Sequence, residues 1–322
     1  MSKSTLLIIE PDAYGSEETG RLGELYEVHA ISPESKSDLV QLLNSVNPEV
    51  LIVGLGFAIG KTEVGYLSGL KFVLSPTTGN DHLEMEELRS LGISVLTLRD
   101  VASGIQSVAS TAELAWGLLL AIARNVVPAA VSTSKGEWQR GAFRGTELRG
   151  KTLGIVGLGR LGKFMADYGS AFGMQVVASD PEAASYKMVE ILELSELLRR
   201  SDVISIHVPL NEKTQSMIGE HQISRMKPGV LIVNTSRGEI VDERAIAEAI
   251  RVSQIGGFAT DVLSGETTWE GRIEASPIWE LQKEGFNVVM TPHIGGYTSE
   301  AIRATRRLLI DHFLTMVEPT KK

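Results

Sequence analysis

Two short segments hold the residues best suited to chemistry. In Asn234-Thr235-Ser236-Arg237-Gly238-Glu239-Ile240-Val241-Asp242, the arginine follows a Val/Ile run that reads as a buried strand. An Arg at the carboxyl end of a parallel strand projects into the crevice where such sheets bind ligands, and its planar fork matches a carboxylate. In Thr291-Pro292-His293-Ile294-Gly295-Gly296, a histidine also follows a strand-like run, with Pro and Gly fixing the backbone around it. Histidine is the side chain that exchanges a proton near neutral pH, and the chain has only 6: His29, His82, His207, His221, His293 and His312. His29, His221 and His312 read as hydrogen-bonded structural residues. His82 suits strand–loop packing as well as a cleft, and His207 ends a strand. With no cysteine, thiolate nucleophiles, disulfides and cysteine-ligated metals are excluded, and no metal site is expected. Hydrolase chemistry finds no support, since there is no G-x-S-x-G elbow and no pair of histidines at zinc-helix spacing.

A second constellation binds rather than reacts. Residues 151–162 run from a strand, Thr152-Leu153-Gly154-Ile155-Val156, into Gly157-Leu158-Gly159-Arg160-Leu161-Gly162 and then a helical pattern. In such a loop the first glycine permits the tight turn, the second lets a pyrophosphate approach, and the third lets the helix pack on the strand. The helix N-terminus adds free N–H groups and partial positive charge. A glycine triplet alone is weak, but the next strand closes on Asp180, near the ~20-residue spacing expected of a ribose-binding acid. With no arginine beside that acid, NAD is favoured over NADP. A similar-looking run, Gly54-Leu55-Gly56-Phe57-Ala58-Ile59-Gly60, has its third glycine one place late and no following acid, and reads as a structural turn.

The elements that must position these residues alternate along the whole chain. Strand-like runs at 6–9, 50–53, 71–74, 93–98, 152–156, 175–178, 203–208, 230–233, 255–260 and 287–290 are separated by helical patterns such as 36–46 and 82–91. Near-continuous apolar strands between helices predict doubly wound parallel sheets, an α/β fold. At 322 residues, two domains are expected. Segment 110–124 is apolar nearly all round, as a helix buried between domains or in a subunit interface would be. The net charge of −9, with charges interspersed, speaks against a nucleic-acid surface. No apolar stretch is long enough for a membrane span, and the run at 6–9 is too short for a signal peptide, so a cytoplasmic protein is expected.

Four motifs in order, 147–162, Asp202-Val203-Ile204-Ser205-Ile206-His207-Val208-Pro209-Leu210, the Arg237 segment and the His293 segment, resemble the D-isomer-specific 2-hydroxyacid dehydrogenase family. The resemblance implies two doubly wound parallel-sheet domains: a Rossmann NAD-binding domain at 103–292, inserted into a flavodoxin-like substrate domain made of 1–102 and 293–322. It implies hydride transfer between NAD(H) and a small 2-hydroxy or 2-oxo acid held between the domains. Arg237 would bind the carboxylate, His293 would move the proton, and Glu266 would partner His293, with Glu270 the alternative because Thr267 stands where the family has proline. Cofactor contacts fall on Gly157, Gly159, Arg160, Leu161, Gly162, Asp180, His207, Pro209, Thr235, Ser236 and Asp261. Thr78 and Gly79 would offer backbone N–H groups to the substrate.

Departures from the family narrow the expectation. Thr77 stands where a glycine is common. Where phosphoglycerate enzymes carry arginines, this chain has Gly56, Phe57 and Ala58, with Lys61 close by, which speaks against a phosphorylated substrate. The connections at 97–112 and 267–276 are unusual, and with the last helical pattern ending near residue 322 no regulatory domain is expected. Helix 110–124 is expected at the centre of a homodimer interface. The rival expectation is an NAD-binding interaction protein of the corepressor kind, because fold alone does not separate the two.

Overall fold

The computed structural model describes residues 3–183, 185–266 and 273–317. The chain forms two compact units, Met1–Val108 with Thr298–Lys322, and Ala109–Tyr297. The sequence placed the crossings at 102/103 and 292/293; here they fall a few residues later, so His293 shares a unit with Arg237 and Glu266.

The first unit is built on five parallel strands, β1 (Ser4–Ile8), β2 (Tyr26–Ala30), β3 (Val50–Ile52), β4 (Phe72–Ser75) and β5 (Ser94–Thr97). Their spatial order is β2-β1-β3-β4-β5, the flavodoxin-like arrangement. Because successive side chains alternate across a strand, Leu6, Ile8, Val50, Ile52, Leu74 and Leu96 share a core with Leu309, Ile310 and Phe313 of the last helix, Ser299–Val317. Leu7, Ile9, Leu51, Val53 and Val73 pack instead with Leu39 and Leu43 of helix Lys36–Val46. The helix expected at 82–91 is only Met85–Ser90, because the Leu83 N–H is taken by the Asn80 carbonyl and the His82 ring by Ser75.

The second unit holds seven parallel strands, β6 (Thr152–Val156), β7 (Gln175–Ser179), β8 (Glu190–Ile191), β9 (Val203–Ile206), β10 (Val230–Asn234), β11 (Ile255–Thr260) and β12 (Val288–Met290). The order β12-β11-β10-β9-β6-β7-β8 is a Rossmann sheet with one added strand, and it reverses direction between β6 and β9. Every residue of β6, β9 and β10 is buried, as a sheet covered on both faces requires. Val156, Ile204, Ile206, Ile232 and Phe258 fill one core, while Leu153, Ile155, Val203, Leu231, Val233 and Ala259 fill the other.

The apolar helix Ser110–Ala123 belongs to this second core. Ala112, Ala115, Leu119 and Ile122 pack with Leu231, Val233 and Ala259, while Leu114, Leu120 and Ala121 stay partly exposed. Trp116 is likewise a core aromatic, edge-on to Phe172 with ring centroids 4.7 Å apart. Among the described residues no single helix is long and apolar enough to cross a membrane.

Candidate active site

The glycine loop follows β6 at the point where the strand order reverses. Gly157 has φ +93°, and a Cβ there would stand 2.8 Å from the His207 carbonyl carbon at the end of β9. A Cβ on Gly162 would stand 2.2 Å from the Gly157 carbonyl oxygen, so only glycine lets helix Arg160–Ala171 start this close to its strand. Gly159, which caps that helix, faces open space. The Leu158 N–H donates to Asp180 Oδ2 (2.7 Å) and the Glu182 N–H to Oδ1 (2.9 Å), anchoring the acid at the end of β7 beside the loop. Arg160 and Leu161 are half-buried in the first helical turn. Burial lowers the Arg160 guanidinium from its ordinary range, and its charge adds to the positive end of the helix dipole.

The ends of β9 and β10 continue this crevice. His207 Nε2 lies 2.7 Å from the Ser205 hydroxyl, while its Nδ1 is buried without a partner among the described residues. Burial pushes this imidazole down to about 4, leaving it neutral near pH 7. The Thr235 hydroxyl, at the end of β10, is also buried and unpartnered among the described residues. The Ser236 hydroxyl donates to the Val208 carbonyl, linking the two strand ends. Pro209 is exposed, its carbonyl accepting from the Thr214 hydroxyl (2.6 Å). Buried polar atoms without partners are costly unless a ligand meets them. Two such atoms beside a glycine loop open at Gly159 fit a dinucleotide.

The reactive groups stand beyond β10, β11 and β12. The buried Asn234 side chain shapes the first turn, accepting from the Ser236 N–H (3.0 Å) and donating to the Arg237 carbonyl (2.8 Å). Half-buried Arg237 donates through Nη1 to the Ser236 carbonyl (2.7 Å). Asp261, at the end of β11, is buried and accepts three bonds from the His293 loop: the Thr291 hydroxyl (2.6 Å), the Ile294 N–H (2.8 Å) and the Gly295 N–H (2.7 Å). Burial raises its carboxyl above the ordinary range against those bonds. His293 itself has φ +54°, a left-handed conformation costing a non-glycine residue about 1 kcal/mol, held here by its N–H bonding to the Asp261 and Thr291 carbonyls. The result is a 2.5 Å contact between His293 Nδ1 and Glu266 Oε1, each side chain about a quarter exposed. Glu270, the alternative partner, lies outside the described residues.

In the first unit, the loop after β4 has its carbonyls turned inward. The Thr77 carbonyl accepts from the Leu98 N–H (3.0 Å), that of Thr78 from Arg99 Nε (2.7 Å), and that of Gly79 from the Thr77 hydroxyl (2.8 Å). The Thr78 and Gly79 N–H groups meet no acceptor among the described residues. Buried Ser75 supports the loop, its hydroxyl 3.0 Å from that of Thr77 and 2.9 Å from His82 Nε2. Thr77, out of pattern in sequence, is therefore a structural member of this network. The second glycine run, after β3, is filled from within: a Cβ at Gly54 would stand 1.9 Å from Glu10 Oε2.

Sequence reasoning did not single out Glu239, Glu243, Ser75 or Thr291, all of which hold the site loops. The one signal for Glu243 is an acid directly after Asp242, the residue that caps helix Glu243–Arg251.

A doubly wound dinucleotide-binding unit with a carboxylate–imidazole pair at its strand ends defines the class of the molecule. The sequence profile described as "D-isomer specific 2-hydroxyacid dehydrogenase, NAD binding domain" matches residues 116–295. The chain belongs to that family, and its second unit is the NAD-binding domain. It is 36% identical over 295 residues to D-3-phosphoglycerate dehydrogenase of Methanocaldococcus jannaschii, covering 90% of this chain and 53% of the relative. It is also 36% identical over 272 residues to hydroxypyruvate reductase of Thermotoga maritima, covering 83% and 84%. Thus it spans about half the length of the first relative and most of the second. An acyclic imino acid reductase solved with NADPH and D-Arg superimposes with TM-score 0.81 at 27% identity, covering 97% of each chain.

Proposed function

We propose that this chain is an NAD-dependent oxidoreductase interconverting a D-2-hydroxy acid and its 2-oxo acid. The observation that carries the reading is the 2.5 Å pairing of His293 Nδ1 with Glu266, in the same unit as the glycine loop and Asp180. Bound NAD(H) supplies or receives the hydride. Nδ1 is engaged, so Nε2 is the atom that gives a proton to the substrate carbonyl oxygen on reduction and takes it back on oxidation. Glu266, bonded to Nδ1, fixes the ring orientation. Arg237, its guanidinium oriented by the Ser236 carbonyl, binds the substrate carboxylate in its fork and polarises the adjacent carbonyl. Within the first unit, the Thr78 and Gly79 N–H groups suit a carboxylate. Gly157, Gly159, Arg160, Leu161 and Gly162 receive the pyrophosphate and Asp180 the adenine ribose; His207, Pro209, Thr235, Ser236 and Asp261 line the nicotinamide half.

The substrate in this reading is a small, unphosphorylated 2-oxo acid, since Lys61 is the one cation in the 54–61 loop and a dianion there would be poorly compensated. The molecule acts in the cytoplasm, where NAD(H) is supplied. It acts as a homodimer with helix Ser110–Ala123 at its interface; the adjoining helix Val126–Ser134 and the segment after it expose the apolar side chains of Val126, Val131 and Trp138, at 51%, 48% and 91%.

The test is a panel of glyoxylate, hydroxypyruvate, pyruvate and aldonic 2-oxo acids with NADH and NADPH, run on wild type and His293→Ala. Turnover with NADH that falls by about 10²-fold or more in the variant, with NADH affinity retained, is the expected result. Equal turnover in both proteins, or tight NADH binding without turnover across the panel, overturns it.

A further inference from the structure

We propose that Glu239 and Glu243 are positioning residues for the Glu266–His293 pair, acting through the turn at 263–266. The inference rests on reading that pair as the acid–base centre. Three successive N–H groups of this turn each meet a different glutamate. The Leu263 N–H donates to Glu266 Oε2 (3.3 Å), the Ser264 N–H to Glu243 Oε1 (2.7 Å), and the Gly265 N–H to Glu239 Oε1 (2.8 Å). The backbone beneath is in direct contact: a Cβ on Gly238 would stand 2.0 Å from the Leu263 carbonyl carbon, so no side chain separates the Arg237 segment from the turn.

The second oxygen of Glu243 accepts from the Ser276 hydroxyl (2.8 Å), and Ser276 in turn caps helix Pro277–Lys283. One buried carboxylate therefore ties residue 264 to residue 276, on either side of 267–272. Burial, first, and the Glu239 and Glu266 charges raise the Glu243 carboxyl, while its bonds from Ser264 and Ser276 oppose the rise. Gathering three acids is unfavourable by itself. Here it sets the turn so that Glu266 Oε1 reaches His293 Nδ1, a contact that a shift of about 1 Å would break.

The experiment compares Glu239→Ala, Glu243→Ala, Glu243→Gln and Glu266→Gln, together with Glu239→Ala placed in the Glu266→Gln background. The readouts are kcat and KM for 2-oxo acid reduction and the NADH dissociation constant. Both alanine variants are expected to lose about 10-fold or more in kcat, with KM and NADH affinity held within about two-fold. Glu243→Gln, which keeps an acceptor for the Ser264 N–H, should recover most of kcat. In the Glu266→Gln background, Glu239→Ala should have no further effect. Half-buried Glu239 carries the test should Glu243→Ala fail to fold. Retained kcat, a loss shared equally with KM and NADH affinity, or a loss that adds in full to Glu266→Gln overturns the proposal. Loss in Glu266→Gln with none in the other variants overturns the clamp alone; no loss in Glu266→Gln overturns the clamp and the acid–base reading together.

Discussion

Gly159 and Gly162 belong to one motif, yet the structure assigns them separable costs. At Gly159 the backbone is extended (φ −72°, ψ −157°) and a Cβ meets nothing within 4 Å, so Gly159→Ala should fold as wild type does. Restricting the unfolded chain could even stabilise it by about 0.4–1 kcal/mol. The new methyl does, however, occupy the space through which a pyrophosphate approaches the helix N-terminus. Losing one charge-assisted hydrogen bond costs about 1.5–3 kcal/mol, which is a roughly 10- to 100-fold weaker NADH complex. At Gly162 the added Cβ would stand 2.2 Å from a backbone oxygen that has no room to yield. The helix start must then shift, at an overpacking cost of about 1–3 kcal/mol against about 1 kcal/mol regained in helix propensity. Gly162→Ala should therefore melt at a lower temperature and bind NADH weakly as well. Calorimetric melting without cofactor, paired with NADH titration by fluorescence, separates the two. Unchanged NADH affinity in Gly159→Ala would refute the pyrophosphate assignment. Equal destabilisation of both variants would refute the packing argument.

Asp180→Ala removes the acid held beside the loop by the Leu158 N–H, and NADH affinity should fall about 10-fold with NADPH affected less; an unchanged NADH to NADPH preference counts against the ribose role. His207 gives a pH signature: its imidazole is pushed down to about 4 in the fold, against about 6.5 in the unfolded chain, so on acidification the unfolded chain takes the proton first. Its contribution, whole above pH 6.5, is lost between there and about pH 4 at up to about 1.4 kcal/mol per unit. Urea unfolding across that window should show wild type losing stability faster than His207→Gln, and parallel curves would sink the idea.

How much was legible in sequence depended on whether a residue's partner was local. The glycine loop, Asp180, Arg237 and His293 sit on short motifs beside strongly apolar strands, so type and spacing located them. The central strands were equally plain, because burial on both faces leaves near-continuous Val, Ile and Leu. One edge of each sheet was not. β2, Tyr26-Glu27-Val28-His29-Ala30, mixes polar residues into a half-covered edge, and β8 is only two residues long. The apolar helix Ser110–Ala123 carried a plain burial signal but not its partner: the side chains of its buried face lie against its own sheet, and composition says that a surface is covered and never by what. Glu239, Glu243 and Ser75 went unread for a related reason. Each bonds a loop that another strand end brings to it, and an acid at a helix start or a serine at a strand end has ordinary local explanations.

The two glycine loops make the same point about anion binding. Both follow a parallel strand at which the sheet order reverses, β3 in one unit and β6 in the other, and both sheets are of the kind that binds ligands at that point. What separates them is the charge the fold brings to each. Glu10, at the end of β1, sends its carboxylate into the first loop, against Gly54 and within 3.4 Å of the Gly56 N–H. An anion there would meet a fixed negative charge and a blocked approach. The second loop faces open space at Gly159 and leads into a twelve-residue helix whose first residue is Arg160, while Asp180 is turned to the Leu158 and Glu182 N–H groups, where a ribose rather than a phosphate would meet it. Glycine spacing makes a close approach possible; the neighbouring strand end decides which charge can make it.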